Sequence, residues 1–197
     1  TPVYLRYNSG RPIATNGREF ADLLETLLCH WPQPVQEVAI VGHSMGGLVA
    51  RSAVHHGRAA RHDWPRSLRR LVFLGTPHHG APLERGGHRL DYVMELSPYV
   101  APFTRLGKSR SAGITDLRYG SITDEDQEFV PLPQDVECYA LAATLGKRRD
   151  RVAERLVGDG LVPLDSALGR HKDATRTLVI PEERQWVGYE MGHLELL

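Results

Sequence analysis

The apolar positions of this chain follow two periods, one typical of strands and the other typical of helices. Alternating β-prone residues at positions 3–7 predict a first strand. Apolar residues at helical spacing over positions 20–31 predict a helix, and Asn16 precedes Glu19 by the three positions of a capping box. The chain is therefore expected to open with a strand followed by an amphipathic helix.

Short apolar runs further along predict buried strands of a parallel sheet. They cover residues 38–41, 71–74, 137–143 and 177–181. Helical spacing predicts helices between them, at residues 45–56, 148–156 and 164–168. Because strands and helices alternate, we expect an α/β fold, with a mostly parallel sheet and flanking helices, in a single domain over residues 1–197.

Residues 82–134 break this alternation. Five prolines punctuate the segment, and helical spacing occurs only around residues 90–94. We interpret this segment as an insertion into the α/β domain. Ligands of open parallel sheets bind at the carboxyl ends of the strands, so candidate functional residues are sought in the loops at that edge.

The composition of the chain argues against two classes of protein, those that bind nucleic acid and those that span a membrane. The chain has 24 basic and 24 acidic residues among its 197, and this balance argues against nucleic acid as a partner. No apolar run approaches the ~20 residues that a transmembrane helix needs. Cys29 and Cys138 have no C-x-x-C spacing, so we expect buried, reduced thiols, which are compatible with a cytoplasmic location.

A serine lies directly after the predicted strand 38–41. Ser44 is at the centre of the G-x-S-x-G sequence of residues 42–46, and a predicted helix follows it. A strand that reverses into a helix within two residues exposes the serine hydroxyl on a strained turn. We expect Gly42 and Gly46 to avoid clashes at this turn, and we predict that Ser44 is a nucleophile.

A serine hydroxyl needs a base, and ten histidines compete for that role. His193 follows the final predicted strand at the edge where Ser44 lies, and it is the predicted base. His43 is adjacent to the serine and is expected to shape the substrate pocket. His78 and His79 follow strand 71–74 at the same edge and are expected to line that pocket.

The acid that orients the base should lie between Ser44 and His193 in chain order. Asp159 follows the strand 137–143, in a Gly-Asp-Gly turn, and is the predicted acid of a Ser-His-Asp catalytic triad. Asp150 and Asp165 are the alternatives. Motifs for a metal, a dinucleotide or a nucleoside triphosphate are missing from the sequence. It therefore predicts a hydrolase without metal or cofactor.

With Ser44, Asp159 and His193 in this order, the chain resembles the α/β-hydrolase superfamily. More narrowly, it is similar to bacterial lipase-like proteins related to the GPI inositol-deacylase alpha/beta domain. The matching segments are residues 7–10, 16–18, 42–51, 75–80, 158–163 and 192–194. The resemblance implies hydrolysis of a small-molecule or lipid ester through an acyl-enzyme, with the Met45 amide in the oxyanion hole and residues 82–134 as a cap or lid. Apolar residues of that segment could line an acyl pocket or pack the insertion itself: Leu90, Val93, Met94, Leu96, Val100 and Phe103.

The sequence departs from that family at both ends. Its members have an upstream strand with a His-Gly loop, which supplies an oxyanion donor, and a helix after the histidine. These differences predict that the chain is a piece of a longer protein, with low stability and weak activity on its own. Two other functions stay open: an acyltransferase on the same scaffold, and a non-catalytic hydrolase-like domain that binds lipid or protein.

Overall fold

The computed structural model describes residues 1–81, 111–125, 128–147 and 158–197. Its principal elements are α1 (Ile13–Cys29), β1 (Val38–His43), α2 (Met45–Ala59), β2 (Leu68–Leu74), α3 (Ala112–Tyr119), β3 (Glu137–Thr144), α4 (Leu164–Ala167) and β4 (Gln185–Tyr189). Short 3₁₀ turns lie at Trp64–Arg66, Ala174–Arg176, Glu182–Arg184 and His193–Leu196. The helix predicted at residues 148–156 and the apolar positions 90–103 fall outside the described residues.

The four strands form one parallel sheet in the order β1-β2-β3-β4. This arrangement, with helices packed against the sheet, is the predicted α/β class. Register places Ile40 beside Leu71 and Leu71 beside Cys138. Because all strands run the same way, the loops after them meet at one edge, as open α/β sheets require of a ligand site.

The main core lies between the sheet and the pair α1 and α2. Alanines and aliphatic residues of both helices pack on Leu71 and Phe73 of β2, with Trp64 buried beside them. A second cluster joins β3 to α4 and to Ile180, and a third joins Met45 and Leu48 to Ile122. Residue 122, in the expected insertion, thus contributes to the core.

Two predicted strands are wrong. Residues 3–7 form no strand, because β-prone residues need a neighbouring strand with which to pair, and none in the described chain adjoins them. Residues 177–181 also lie outside the sheet, although Leu178 and Ile180 are buried. The fourth strand is Gln185–Tyr189 instead, which a glycine and a glutamine made less conspicuous in the sequence.

The expected capping box is wrong as well. Helix α1 begins at Ile13, with Pro12 before it, so Asn16 lies within the first turns. Its side chain is buried, and its Nδ2 donates to the carbonyl oxygen of Asn8 at 2.9 Å. Asn16 therefore holds the preceding loop against α1 instead of capping the helix.

The thiols differ from expectation in one respect. Both cysteines are free, and Cys138 is buried in the main core, where burial raises the pKa of its thiol to about 11. Cys29 is exposed at the end of α1, so the expectation of burial is wrong there. Within the described ranges, no helix is long and apolar enough to span a membrane.

Candidate active site

Ser44 lies at the junction of β1 and α2 in a strained backbone conformation. Its φ is 52° and its ψ is −125°, a region that residues with a Cβ rarely occupy. The Ser44 amide donates to the carbonyl oxygen of Leu74 at 2.8 Å, which ties the turn to the end of β2. Such strain persists only where the surrounding structure enforces it, and a strained strand-to-helix turn is the geometry expected of a nucleophile elbow.

Glycines make this turn sterically feasible. A Cβ on Gly42 would lie 2.6 Å from the Gly47 amide nitrogen, and a Cβ on Gly47 would lie 2.0 Å from Thr76 Oγ1. At Gly46 a Cβ would meet the Tyr7 hydroxyl at an ordinary 3.9 Å. The expectation for Gly42 therefore holds, whereas the second glycine on which the turn depends is Gly47 and not Gly46.

Asp159 and His193 form a buried pair at the same edge of the sheet. His193 Nδ1 donates to Asp159 Oδ2 at 2.7 Å, and the two residues are only 5% and 4% exposed. The other carboxylate oxygen, Asp159 Oδ1, accepts from the amides of Leu161 at 3.0 Å and Val162 at 2.8 Å. With both oxygens bonded, the carboxylate is fixed in orientation and fixes the imidazole in turn.

The Gly-Asp-Gly turn allows this orientation. Gly158 has a φ of 52°, and a Cβ there would lie 1.9 Å from the Val162 carbonyl oxygen. Gly160 has a φ of 95°, which also favours glycine. The turn thus directs the Asp159 carboxylate inward, toward the loop that carries His193.

Gly75 brings the His193 ring close to the elbow. It directly follows Leu74, the residue that accepts the Ser44 amide, and a Cβ on Gly75 would lie 3.0 Å from His193 Cε1. The imidazole therefore packs over the β2 terminus beside the elbow. Ser44 Oγ has no hydrogen-bond partner in the described part of the chain, and catalytic hydrogen bonds commonly form only when substrate binds.

His43 contacts the loop that carries His193. Its Nε2 lies 3.1 Å from the carbonyl oxygen of His193, and the centroids of the two rings are 4.7 Å apart. Burial, followed by the proximity of His193, lowers the pKa of His43. The substrate contact expected for His43 stays a prediction, and its observed contacts are with the main chain and the ring of His193.

His78 lies in the interior. Its ring meets the Phe73 ring edge-on at 4.6 Å, and Arg51 Nη1 donates to its Nδ1 at 3.3 Å. Burial, with Arg51 nearby, holds the pKa of His78 well below its ordinary value. Among the residues that the structure describes, His78 Nε2 and Arg51 Nε have no hydrogen-bond partner. A pocket-lining role for His78 stays a prediction, and the contacts observed are those of a core residue.

His79 packs against the loop after α4. Its Nε2 donates to the Gly169 carbonyl oxygen at 2.9 Å, and its amide donates to Ser166 Oγ at 3.1 Å. Its ring lies 4.9 Å from that of His171. These contacts tie the loop after β2 to α4 and to the loop that follows it, and a substrate contact for His79 also stays a prediction.

Arg51 is a residue of this region whose burial the sequence did not signal. It is only 6% exposed, and its Nη2 donates to the Val130 carbonyl oxygen at 2.7 Å. Burial lowers the pKa of its guanidinium to about 10. An arginine in an amphipathic helix is ordinarily solvated, so only the packing of α2 reveals this one.

The Met45 amide is the first of helix α2, at the end where a helix has N–H groups without an i−4 partner. The positive end of the helix dipole lies there, which favours a developing negative charge. Among the described residues, no group of three or more histidine, cysteine, aspartate or glutamate side chains could hold a metal ion.

Comparisons with known proteins show the family and the fold of this chain. The chain matches the PGAP1-like alpha/beta domain over residues 19–138, more than half of its length. It is also similar to the crystal structure of the mature Bacillus licheniformis lipase BlEst2. The TM-score is 0.55 and the identity 18%, over 94% of this chain and 69% of the lipase chain, a likeness that shows the fold. A comparison with curated proteins found no match. The chain has the α/β-hydrolase fold and belongs to the PGAP1-like alpha/beta domain family.

Proposed function

We propose that this protein is a serine carboxylic-ester hydrolase that works through an acyl-enzyme. The observation that carries the proposal is the buried 2.7 Å contact between Asp159 Oδ2 and His193 Nδ1, at the sheet edge where Ser44 occupies its strained turn. Membership of a hydrolase family and a lipase-like fold support it. Its substrate class is a small-molecule or lipid ester.

The proposed first step forms the acyl-enzyme. Ser44 Oγ attacks the ester carbonyl while His193 Nε2 takes its proton. Asp159 holds the proton on His193 Nδ1 and stabilises the imidazolium that forms. The Met45 amide donates to the oxyanion of the tetrahedral intermediate. His193 then protonates the leaving alcohol, and the acyl group stays on Ser44.

The second step reverses these roles. A water molecule gives its proton to His193 Nε2 and attacks the acyl-enzyme carbonyl. The second tetrahedral intermediate collapses, Ser44 leaves and regains the proton, and the acid product departs. An acyltransferase would differ only in the acceptor, with an alcohol in place of water.

A fluorophosphonate probe tests the proposal without a known substrate. We expect a covalent adduct on Ser44, located by mass spectrometry of the digested protein. The adduct is expected to disappear in Ser44→Ala and to persist in Ser67→Ala, a serine that directly precedes β2 at its other end. An adduct on other residues alone, or none at all, would contradict the proposal.

Hydrolysis of p-nitrophenyl esters from acetate to laurate then defines the reaction. We expect release of the free acid with turnover that depends on Ser44. Added alcohol discriminates between the acceptors, because an acyltransferase would yield a new ester in place of the acid. A protein that binds these esters without turning them over would instead be the non-catalytic domain.

A further inference from the structure

We propose that His43 is a positioning residue, which holds the main chain of the base His193 in register with the nucleophile Ser44. The inference rests on the proposed function and assigns a role to a side chain that the mechanism above does not use. His43 is the last residue of β1 and is bonded covalently to Ser44. Its ring reaches the loop that carries His193, so one residue links the two halves of the site.

The hydrogen bond between the His43 ring and the His193 main chain has a defined direction. His43 Nε2 lies 3.1 Å from the His193 carbonyl oxygen. A carbonyl oxygen only accepts, so Nε2 must carry the proton and donate it. The carbonyl belongs to the same residue whose imidazole binds Asp159 at 2.7 Å. His193 is thus held at two points, its ring by Asp159 and its backbone by His43.

The charge state of His43 suits this role. Its ring packs against that of His193, with centroids 4.7 Å apart and planes tilted by 42°. Burial and the neighbouring His193 both lower the pKa of His43, which favours its neutral form. Asp159 bonds to the His193 ring, so the proton removed from Ser44 is expected to stay on His193, next to the carboxylate.

The loop that carries His193 needs a hydrogen bond of this kind from outside the loop. His193 begins a single 3₁₀ turn, and its preceding residue, Gly192, donates its amide to Glu195 Oε2. A turn this short has few bonds with which to fix its own orientation. Misplacement of a catalytic group by about 1 Å can lower turnover by about 10²-fold, so a single additional hydrogen bond can matter for the rate.

Two substitutions separate the hydrogen bond from the bulk of the ring. His43→Leu fills space without a donor, whereas the amide nitrogen of His43→Gln reaches about as far as Nε2. We expect kcat for p-nitrophenyl butyrate to fall by about 10²-fold in the leucine variant, with KM little changed. The glutamine variant should recover at least about tenfold of that loss. His30→Leu is the matched control, because His30 also bonds to a backbone carbonyl, that of Thr26 at 2.8 Å, but is exposed directly after α1.

The outcomes are distinguishable. An adduct on Ser44 in the wild type, with equal kcat in wild type and His43→Leu, would overturn this inference and leave the proposed function intact. A rise in KM at constant kcat would overturn it in favour of a substrate contact. Wild-type protein that forms no Ser44 adduct would overturn both proposals. Melting temperatures of both variants show whether a loss of activity reflects unfolding, and rescue by glutamine is then the deciding result.

A second measurement needs no enzymatic turnover. The ¹⁵N chemical shifts of the His43 ring distinguish a proton on Nε2 from one on Nδ1. We expect the neutral ring protonated on Nε2. A neutral ring protonated on Nδ1 could not donate to the His193 carbonyl and would overturn the inference whatever the activity.

Discussion

The carboxylate of Asp159 and the imidazole of His193 meet at 2.7 Å across 34 residues of sequence. Their side chains are 0% and 4% exposed, so the pair is shielded from water. In such surroundings an ion pair or a charge-assisted hydrogen bond is stronger than at the surface, but loss of one partner leaves the other buried and unpaired.

The first prediction concerns the tautomer that Asp159 imposes. In Asp159→Asn the side chain can still accept from the Leu161 and Val162 amides, but it would present an N–H to His193 Nδ1. That nitrogen must then accept, so the proton moves to Nε2, where the base has to receive one from Ser44. We expect kcat for p-nitrophenyl butyrate to fall by about 10⁴-fold.

The control for this experiment is Asp165→Asn, at the other candidate acid within the described chain. Asp165 lies in the first turn of α4, whereas the carboxylate bonded to His193 is that of Asp159. We expect unchanged turnover there. If the two asparagine variants lost activity equally, Asp159 would not be the orienting acid.

The second prediction concerns the two glycines after Ser44. A Cβ at position 47 would lie 2.0 Å from Thr76 Oγ1, whereas at position 46 the nearest atom is 3.9 Å away. We expect Gly47→Ala to lower the free energy of unfolding by about 1–3 kcal/mol, because either the helix or Thr76 must move. Urea denaturation at equilibrium measures this.

Gly46→Ala provides the matched comparison. It gains helix propensity without a clash, so the free energy of unfolding should stay unchanged or rise by up to about 1 kcal/mol. Adding Thr76→Ala to Gly47→Ala should restore part of the lost stability. Equal effects at positions 46 and 47 would show that the close approach of Thr76 is unimportant.

The third prediction is a pH dependence of stability. Burial holds the pKa of His78 well below the ordinary value of 6.5, with Arg51 as the next cause. Below about pH 6.5 the unfolded chain binds a proton here that the folded chain does not. The free energy of unfolding should therefore fall with decreasing pH, by up to about 1.4 kcal/mol per unit for one proton.

His78→Asn removes this titration and keeps an acceptor for Arg51. We expect a smaller decline in stability between pH 7 and pH 5 than in the wild type, measured by urea denaturation at each pH. The variant will be less stable overall, since it loses the packing on Phe73, so the slope is the quantity to compare. His30→Asn, at an exposed position, should leave the slope unchanged; a wild-type slope in His78→Asn would refute the prediction.

The fourth prediction concerns the buried guanidinium of Arg51. It donates to the Val130 carbonyl and to His78 Nδ1, two acceptors that one compact ammonium cannot reach together. Arg51→Lys should lower the free energy of unfolding by about 1–3 kcal/mol. Arg58→Lys, at the exposed Arg58–Asp135 pair, should lower the free energy of unfolding by at most about 1 kcal/mol. Similar losses at the two positions would mean that the buried contacts of Arg51 contribute little.

The sequence by itself determined the α/β class, the strands 38–41, 71–74 and 137–143, and the family. Each is a local property, because a short apolar run or a glycine-flanked serine needs no knowledge of distant residues to be recognised. The sequence also predicted that Asp159 and His193 are partners. Parallel strands bring their following loops to one edge, so the order of residues along the chain indicated which of them would meet.

Only the tertiary structure decided which strand-like segments form strands and which side chains meet around the site. Residues 3–7 and 177–181 have strand-like sequences, yet a strand exists only where a neighbour accepts its hydrogen bonds, and β4 formed at Gln185–Tyr189 instead. The same holds for the side chains around the site. Gly47 faces Thr76, Arg51 is buried, and His43 bonds to His193. These contacts form because the packing of α2 and of the loop that carries His193 brings together atoms far apart in the sequence.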